Sequence, residues 1–436
     1  MQSPSRLVWS IAFPAMLTNV ATALFGLADM WVIGRLGDAT AQSAVELGAK
    51  FMMAVLIVFA FLRTGTVALT AQAAGRGDQD EQAAILVRSL GVALAIGALL
   101  LLVRPWVIEG GLRLLEAKGQ VAANAVAYIN TRYWAGTAWL LNCALGGWLI
   151  GRRRVRTILV VEVTANAAHI ALDLAFVLWI GWGVAGVAVA TACSELLKLA
   201  LLAVAVMREP AAGTALAAIR HRTIWDRHAL RGLFSLNRDL FLRTLLLTVS
   251  MLLLARGGAQ RGPVALAANG ILFQIFMLSS LIVDGFESAA QVLCGEAKGG
   301  RDRRRFVLLA RVSLAWALVV GIGIGLVYLI VGDRFAASFS TNPDVIAATG
   351  AYIGWTALLA VLGVFVSVFD GIFVGAGWTR AMVLTMAAAM AVYGAALYLF
   401  APLGNDGLWL AFSLLFVVRA AGQLYLLPGL VRRDLD

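Results

Sequence analysis

The chain has 436 residues, of which 61% are hydrophobic and 14% charged, and its formal net charge is +11. Soluble globular chains carry about 25% charged residues, and this chain has too little polar surface to cover a core of that size, which excludes a soluble enzyme or binding module. The excess of arginine and lysine does not mark a nucleic-acid binder either, because it collects in alternate connections between apolar runs.

Twelve such runs, each long enough for a bilayer at roughly 17 to 25 residues, predict helices over 7–33, 46–75, 84–110, 123–150, 157–180, 183–207, 231–258, 264–296, 305–331, 345–375, 379–400 and 405–430. The fold class is an all-α polytopic membrane protein. The first run lacks the basic flank and small-residue cleavage site of a signal peptide, so it is expected to stay. Within it, Pro14 removes a hydrogen bond to the Ser10 carbonyl and predicts a kink. Asp29 lies near the outer end of the same run.

Asp173 sits in the fifth run at a depth within a few Å of Asp29, counted at about 1.5 Å per residue. Each buried carboxylate is costly in a bilayer and needs a reason. Two at one depth point to a shared cavity, where mutual repulsion and desolvation make proton uptake switchable. The fifth run also carries Glu162, Asn166 and His169, and their spacing to Asp173 places all four on one helical stripe. His169 changes charge near neutral pH, and it reads either as a packing residue or as a charge-assisted partner of Asp173. Asn142 in the fourth run and Thr191 in the sixth join Asn166 and His169 as support for this cavity. Glu195 and Lys198, three apart in the sixth run, are expected to satisfy one another.

The longest polar connection, 208–230, reads as a cytoplasmic linker between an amino-terminal lobe, 1–207, and a carboxy-terminal lobe, 231–436. A shift of 224 residues supports two copies of one unit: it superposes Gly75 on Gly299, Asp78 on Asp302, Gly147 on Gly371, Gly151 on Gly375, Arg156 on Arg380 and Gly183 on Gly407. Six crossings per copy give both the same orientation, so the lobes are related by a pseudo-two-fold along the membrane normal. Nineteen basic residues fall on one side, among them Arg152, Arg220, Arg222, Arg303 and Arg432, against about eight on the other. The positive-inside rule puts both termini in the cytoplasm.

In the second lobe, Asp239 and Arg243 lie in the seventh run, and Asp284 and Glu287 share a face of the eighth, where Arg243 or Lys298 would neutralise them. Asp370 and Arg419 are isolated charges that either pair or serve a substrate. Shifting the fifth-run stripe by 224 gives Met386, Met390, Tyr393 and Leu397, so the carboxylate track is not duplicated. Met386, Met390 and Tyr393 form either a soft wall for varied substrates or a packing face. Cys143, Cys193 and Cys294 lack metal-type spacing and read as packing residues. No nucleophile with its base, metal cluster or phosphate loop is visible, so neither cofactor nor resident metal is expected.

The stretches Phe61-Leu62-Arg63-Thr64-Gly65 through Thr70-Ala71-Gln72-Ala73, Gly181-Trp182-Gly183-Val184-Ala185-Gly186 and Asn237-Arg238-Asp239-Leu240-Phe241-Leu242-Arg243-Thr244 resemble the DinF-like branch of the MATE multidrug exporters, nearly end to end. The resemblance implies a two-lobed antiporter exchanging organic, often cationic substrates for an ion, which in this branch is the proton. It implies protonation at Asp29 and Asp173, and a first helix that bends as Asp29 changes protonation. Relatives usually have asparagine where His169 stands. In sodium-linked relatives a seventh-helix glutamate contributes to a cation site, and Asn237, Arg238, Asp239 and Arg243 occupy that helix here. A monomer in a bacterial inner membrane is expected. The competing readings are a lipid-linked or organic-anion exporter or flippase on the same scaffold, and sodium coupling.

Overall fold

The structure, a computed structural model, describes residues 3–114, 119–213 and 227–436. Most of the expected linker, including Arg220 and Arg222, lies outside them. Among the described residues the chain is helical, with fourteen helices: α1 Pro4–Gly34, α2 Ala39–Ile57, α3 Phe61–Gly75, α4 Gln79–Leu114, α5 Gly119–Tyr133, α6 Gly136–Gly151, α7 Val155–Asp173, α8 Gly183–Met207, α9 Arg227–Ala259, α10 Pro263–Gly299, α11 Arg303–Phe339, α12 Pro343–Gly375, α13 Thr379–Leu399 and α14 Gly404–Leu435. Eleven crossings are long and apolar enough for a membrane by themselves, with α2 and α3 joined as one. The twelfth, expected as one helix over 123–150, is two short helices, α5 and α6, parted by a turn at Trp134 and Ala135. Large apolar side chains face outward, among them Trp106 and Ile330, as lipid-facing surfaces require.

Contacts divide the chain into two compact units. One comprises Leu17–Ala74 and Asp78–Leu233; the other comprises Met1–Met16, Gly75–Gly77 and Phe234–Asp436. The division differs from an even split of the sequence because the start of α1 groups with the carboxy-terminal helices. In that unit Trp9 packs edge-on against Phe286 and Trp316, with ring centroids 5.2 and 5.6 Å away. Pro14 lies inside α1, which continues through it to Gly34.

The two copies of the repeat use the same helix crossing. In the first, a Cβ at Gly147 would stand 2.6 Å from the Arg63 carbonyl, and one at Gly151 would stand 2.8 Å from that of Val67. In the second, a Cβ at Gly371 would stand 2.3 Å from the Glu287 carbonyl, and one at Gly375 would stand 2.2 Å from that of Gln291. Every one of these residues has its counterpart 224 positions on. Small residues let helix backbones approach closely where no side chain fits. The turns repeat as well: Asp78 accepts the Glu81 amide and Asp302 the Arg305 amide, each capping its helix. Gly77 and Arg301, again 224 apart, both have positive φ, at 71° and 52°.

Candidate functional site

Asp29 on α1 and His169 and Asp173 on α7 converge in the amino-terminal unit, with one ligand-type atom from each within 4.8 Å of the others. All three are buried, at 3%, 0% and 0% exposure, so their charges must be balanced locally. His169 Nε2 lies 2.5 Å from Asp29 Oδ1 and 3.1 Å from Asp173 Oδ2. The second contact lacks hydrogen-bond geometry, and neither oxygen of Asp173 has a hydrogen-bond donor among the described residues. Directly after Asp173 the helix widens into a π-helical turn, Leu174–Trp179, a distortion that recurs at functional sites.

The far side of the imidazole is fixed by α8. Ser194 Oγ lies 3.4 Å from His169 Nδ1 and donates its own hydrogen to the Thr191 carbonyl at 2.9 Å. Its hydrogen being committed, Ser194 can only accept, so Nδ1 carries the proton on that face. Phe25 stacks on the imidazole with ring centroids 3.8 Å apart and sets the ring plane. Thr191 thus acts on the site through its carbonyl, while its own hydroxyl donates to Val187. Asn166 donates to the Ala21 carbonyl at 2.8 Å and ties α7 to α1. Ser194 and Phe25 escape sequence reading because each belongs to a different helix and nothing in its own helix marks it.

Asp29 forms part of the wall of a cavity of about 530 Å³ within this unit, together with Thr22, Phe25, Trp139, Asn166 and Glu195. The charges around it pair in a pattern that corrects one expectation. Lys198 turns away from Glu195 and reaches Glu162 on α7 at 2.5 Å. Glu195 instead accepts from Asn142 Nδ2 at 2.8 Å. Glu162 lies directly across the α7–α8 packing, and a three-residue spacing along one helix does not compete with that approach. Arg132 donates to the Tyr128 hydroxyl at 2.6 Å, and Lys50 pairs with Glu46 at 2.6 Å. Asn142 therefore supports Glu195 rather than the Asp29 cluster.

The carboxy-terminal unit treats its buried carboxylate differently. Asp370 is bonded by Arg243 and by Arg419, the latter at 2.5 Å, and accepts from Gln423 Nε2 at 2.9 Å. Lys298 binds Asp434 at 2.8 Å and not Asp284 or Glu287, and Asp284 accepts from Ser367 at 3.3 Å. Asp239 accepts from Arg238 and from Thr379. Met386 and Tyr393 are fully buried in one apolar cluster with Trp409 and Phe412, and Met390 packs half-buried against it. This is the packing arrangement; neither Met386 nor Tyr393 presents an open wall.

Sequence comparison agrees with this architecture. The pattern of the MatE family matches residues 14–175 and 240–399. DNA damage-inducible protein F of Escherichia coli (strain K12) is 30% identical over 419 residues, covering 96% of this chain and 91% of that protein. The probable multidrug resistance protein NorM of Rhizobium meliloti (strain 1021) is 27% identical, covering 93% of this chain and 89% of that protein. Among solved structures, a MOP superfamily transporter from Pyrococcus furiosus superposes with a TM-score of 0.87 at 20% identity, over 98% of this chain and 96% of that one. A MATE protein in its bent conformation superposes with a TM-score of 0.89 at 19% identity, over 99% and 97%. The chain is therefore a multi-pass membrane transporter of the MatE family, in its DinF-like branch, and not an enzyme.

Proposed function

We propose that this transporter is a secondary antiporter that exports organic cations or amphipathic compounds in exchange for protons. It works as a monomer in a bacterial inner membrane, and the distribution of basic residues favours both termini in the cytoplasm. The observation that carries the reading is the Asp29–His169–Asp173 cluster at the cavity wall. With the imidazole doubly protonated and both carboxylates ionised, the cluster holds one negative charge more than it can balance. One proton neutralises it, and so does one organic cation in the adjoining cavity. Two charges of the same sign compete for one surplus, so binding of either favours release of the other, which is the requirement for exchange.

The surrounding charges support cationic cargo. Glu46 and Glu162 are closed by Lys50 and Lys198, and the remaining charged side chains of the cavity wall are Asp29, Glu195 and Arg132, two acids against one base. The names of the NorM relative, a probable multidrug resistance protein, and of the DETOXIFICATION proteins of Arabidopsis thaliana fit export of varied organic compounds.

The test is efflux of a fluorescent cationic dye from liposomes carrying the purified protein, driven by a pH gradient or by a sodium gradient, for wild type and Asp29→Asn. Proton-driven efflux that Asp29→Asn abolishes is the expected result. Sodium-driven efflux without a pH response would replace the coupling ion, and no dye transport under either gradient would redirect the search to lipid or organic-anion cargo.

A further inference from the structure

The histidine gives this cluster a ligand that two carboxylates alone lack. Three donor atoms, Asp29 Oδ1, His169 Nε2 and Asp173 Oδ2, point at one small volume from two helices. We propose that Asp29, His169 and Asp173 form a binding site for a single transition-metal dication of the Zn²⁺, Co²⁺ or Ni²⁺ class, whose occupancy arrests transport.

Three independent features of the structure lead there. The first is tautomer. Ser194 accepts from Nδ1, so Nε2, 2.5 Å from Asp29 Oδ1, is the nitrogen that would exchange its proton for a metal ion. An imidazole whose second nitrogen is held by a hydrogen-bond acceptor is the arrangement that orients metal-ligating histidines. Phe25, stacked on the ring, holds its plane. The second is the buried Asp173 carboxylate, whose two oxygens lack any donor among the described residues. The imidazolium 3.1 Å away faces it without a hydrogen bond, and a metal ion in place of the Nε2 proton would bond it directly while supplying the counter-charge it demands.

The third feature is charge. Once a metal ion displaces the Nε2 proton, two carboxylates and a neutral imidazole carry −2, which a dication cancels and a monovalent cation leaves half unbalanced. The neighbouring charges cancel among themselves: Lys198 pairs with Glu162, and the positive charge of Arg132, whose bonded partner Tyr128 is neutral, offsets that of Glu195, whose bonded partner Asn142 is neutral. An imidazole in the donor set also favours borderline transition dications over magnesium or calcium, which prefer all-oxygen sites.

The fit needs little movement. Metal–ligand bonds of about 2.0 to 2.2 Å put neighbouring donor atoms roughly 3 Å apart. Nε2 and Asp173 Oδ2 already stand at 3.1 Å, and Nε2 and Asp29 Oδ1 at 2.5 Å, so the Asp29 carboxylate has to retreat by about half an ångström. Asp29 borders the cavity, which offers an entry route and room for a water as fourth ligand. The metal bridges α1 and α7, so it holds together the helix faces between which the coupling proton must move.

Binding is measured without transport, so the inference stands or falls apart from the proton-coupled reading. The full-length, untagged protein is purified in detergent, stripped with a chelator and titrated with Zn²⁺ against a chromogenic competitor; Co²⁺ is then followed by its visible absorption. The expected result is one ion per chain, with Co²⁺ bands of an oxygen- and nitrogen-ligated ion and no near-ultraviolet thiolate band from Cys143, Cys193 or Cys294. His169→Asn weakens binding at least about 100-fold, and Ser194→Ala, which only frees the imidazole, weakens it about tenfold. Gel filtration and a thermal melt establish that each variant is folded, and Asp173→Asn serves as a second ligand variant should His169→Asn fail that check. In liposomes, Zn²⁺ slows wild-type efflux over the concentration range in which it binds. Absence of stoichiometric binding, a thiolate band, or equal binding by folded His169→Asn and Asp173→Asn overturns the proposal. If proton-driven efflux survives saturating Zn²⁺ in a protein that binds it, the site exists but does not arrest transport, and the second half of the proposal falls.

Discussion

The two halves of this transporter share a backbone but not a charge chemistry. Gly147 and Gly151 admit the backbone of α3 as Gly371 and Gly375 admit that of α10, with each contact 224 residues from its counterpart. Yet His169 stands where the second half has Tyr393, and Glu195 where it has Arg419. In the first half two carboxylates share one imidazole and Asp173 is left without a donor. In the second, Asp370 is saturated by two guanidiniums and an amide. Arginine does not release its proton in proteins, so Asp370 keeps its cationic partners, whereas the imidazole–carboxylate cluster can gain or lose one charge. The halves thus keep one set of helix crossings while one holds an imidazole–carboxylate cluster and the other a carboxylate bound by guanidiniums.

The sharpest way to break this contrast is to neutralise one carboxylate in each half. Asp29→Asn is expected to reduce proton-driven dye efflux to that of protein-free liposomes while leaving the melting temperature of the purified protein close to wild type. Asp370→Asn leaves Arg243 and Arg419 buried without the carboxylate that both of them bind, a loss of about 3 to 5 kcal/mol when one partner of a buried network is removed. It is therefore expected to lower the melting temperature steeply. An Asp370→Asn protein of normal stability that has lost proton coupling would place titration in the second half and reverse the assignment.

How much of this could be read from the residues alone depended on what each feature requires. The crossings are long apolar runs and the repeat is a register of glycines and caps, and both are linear in sequence. The Glu162–Asn166–His169–Asp173 stripe is periodic along one helix, so it too was visible. The contact between His169 and Asp29 depends on how α1 is rotated against α7, which no spacing within either helix encodes. Lys198 shows the same limit, because its in-helix neighbour Glu195 was the plausible partner until the packing of α8 on α7 brought Glu162 to 2.5 Å. In α13 apolar residues surround the helix on all sides, so the pattern cannot say which face is core, and Met386 and Tyr393 proved to be inside. The break between α5 and α6 contains no proline, and composition gave no warning of it.

The shared backbone can be tested more finely at its glycines. A Cβ at Gly371 or at Gly147 would meet a carbonyl oxygen of the facing helix at 2.3 or 2.6 Å. Backbone cannot yield as a flexible side chain does, so Gly371→Ala and Gly147→Ala are each expected to cost about 1 to 3 kcal/mol, the range for overpacking. Thermal unfolding of both variants side by side checks the equivalence. If Gly147→Ala is harmless and Gly371→Ala is not, the two crossings are alike in geometry only, and the first half tolerates a helix separation that the second does not.

The smallest expected effect concerns the ties at the helix ends, where each half clasps an acid that follows or ends its sixth crossing. In the second half, Trp378 and Lys298 hold Asp434 at 2.7 and 2.8 Å. In the first, Arg152 and Arg154 hold Glu209, just beyond α8, at 3.0 and 2.6 Å. Burial pushes the Glu209 carboxyl up, but the Arg154 and Arg152 guanidiniums outweigh it and keep the group below its ordinary value. A carboxyl lowered by folding stabilises the protein fully above the unfolded-chain value of about 4.3, and this contribution is lost as the pH falls through the lower folded value. The melting temperature of Glu209→Gln should therefore lie below wild type near pH 7, and the two should converge as the pH is taken below about 4. A gap that persists undiminished in acid would mean that the arginines hold Glu209 by shape and hydrogen bonding rather than by its charge.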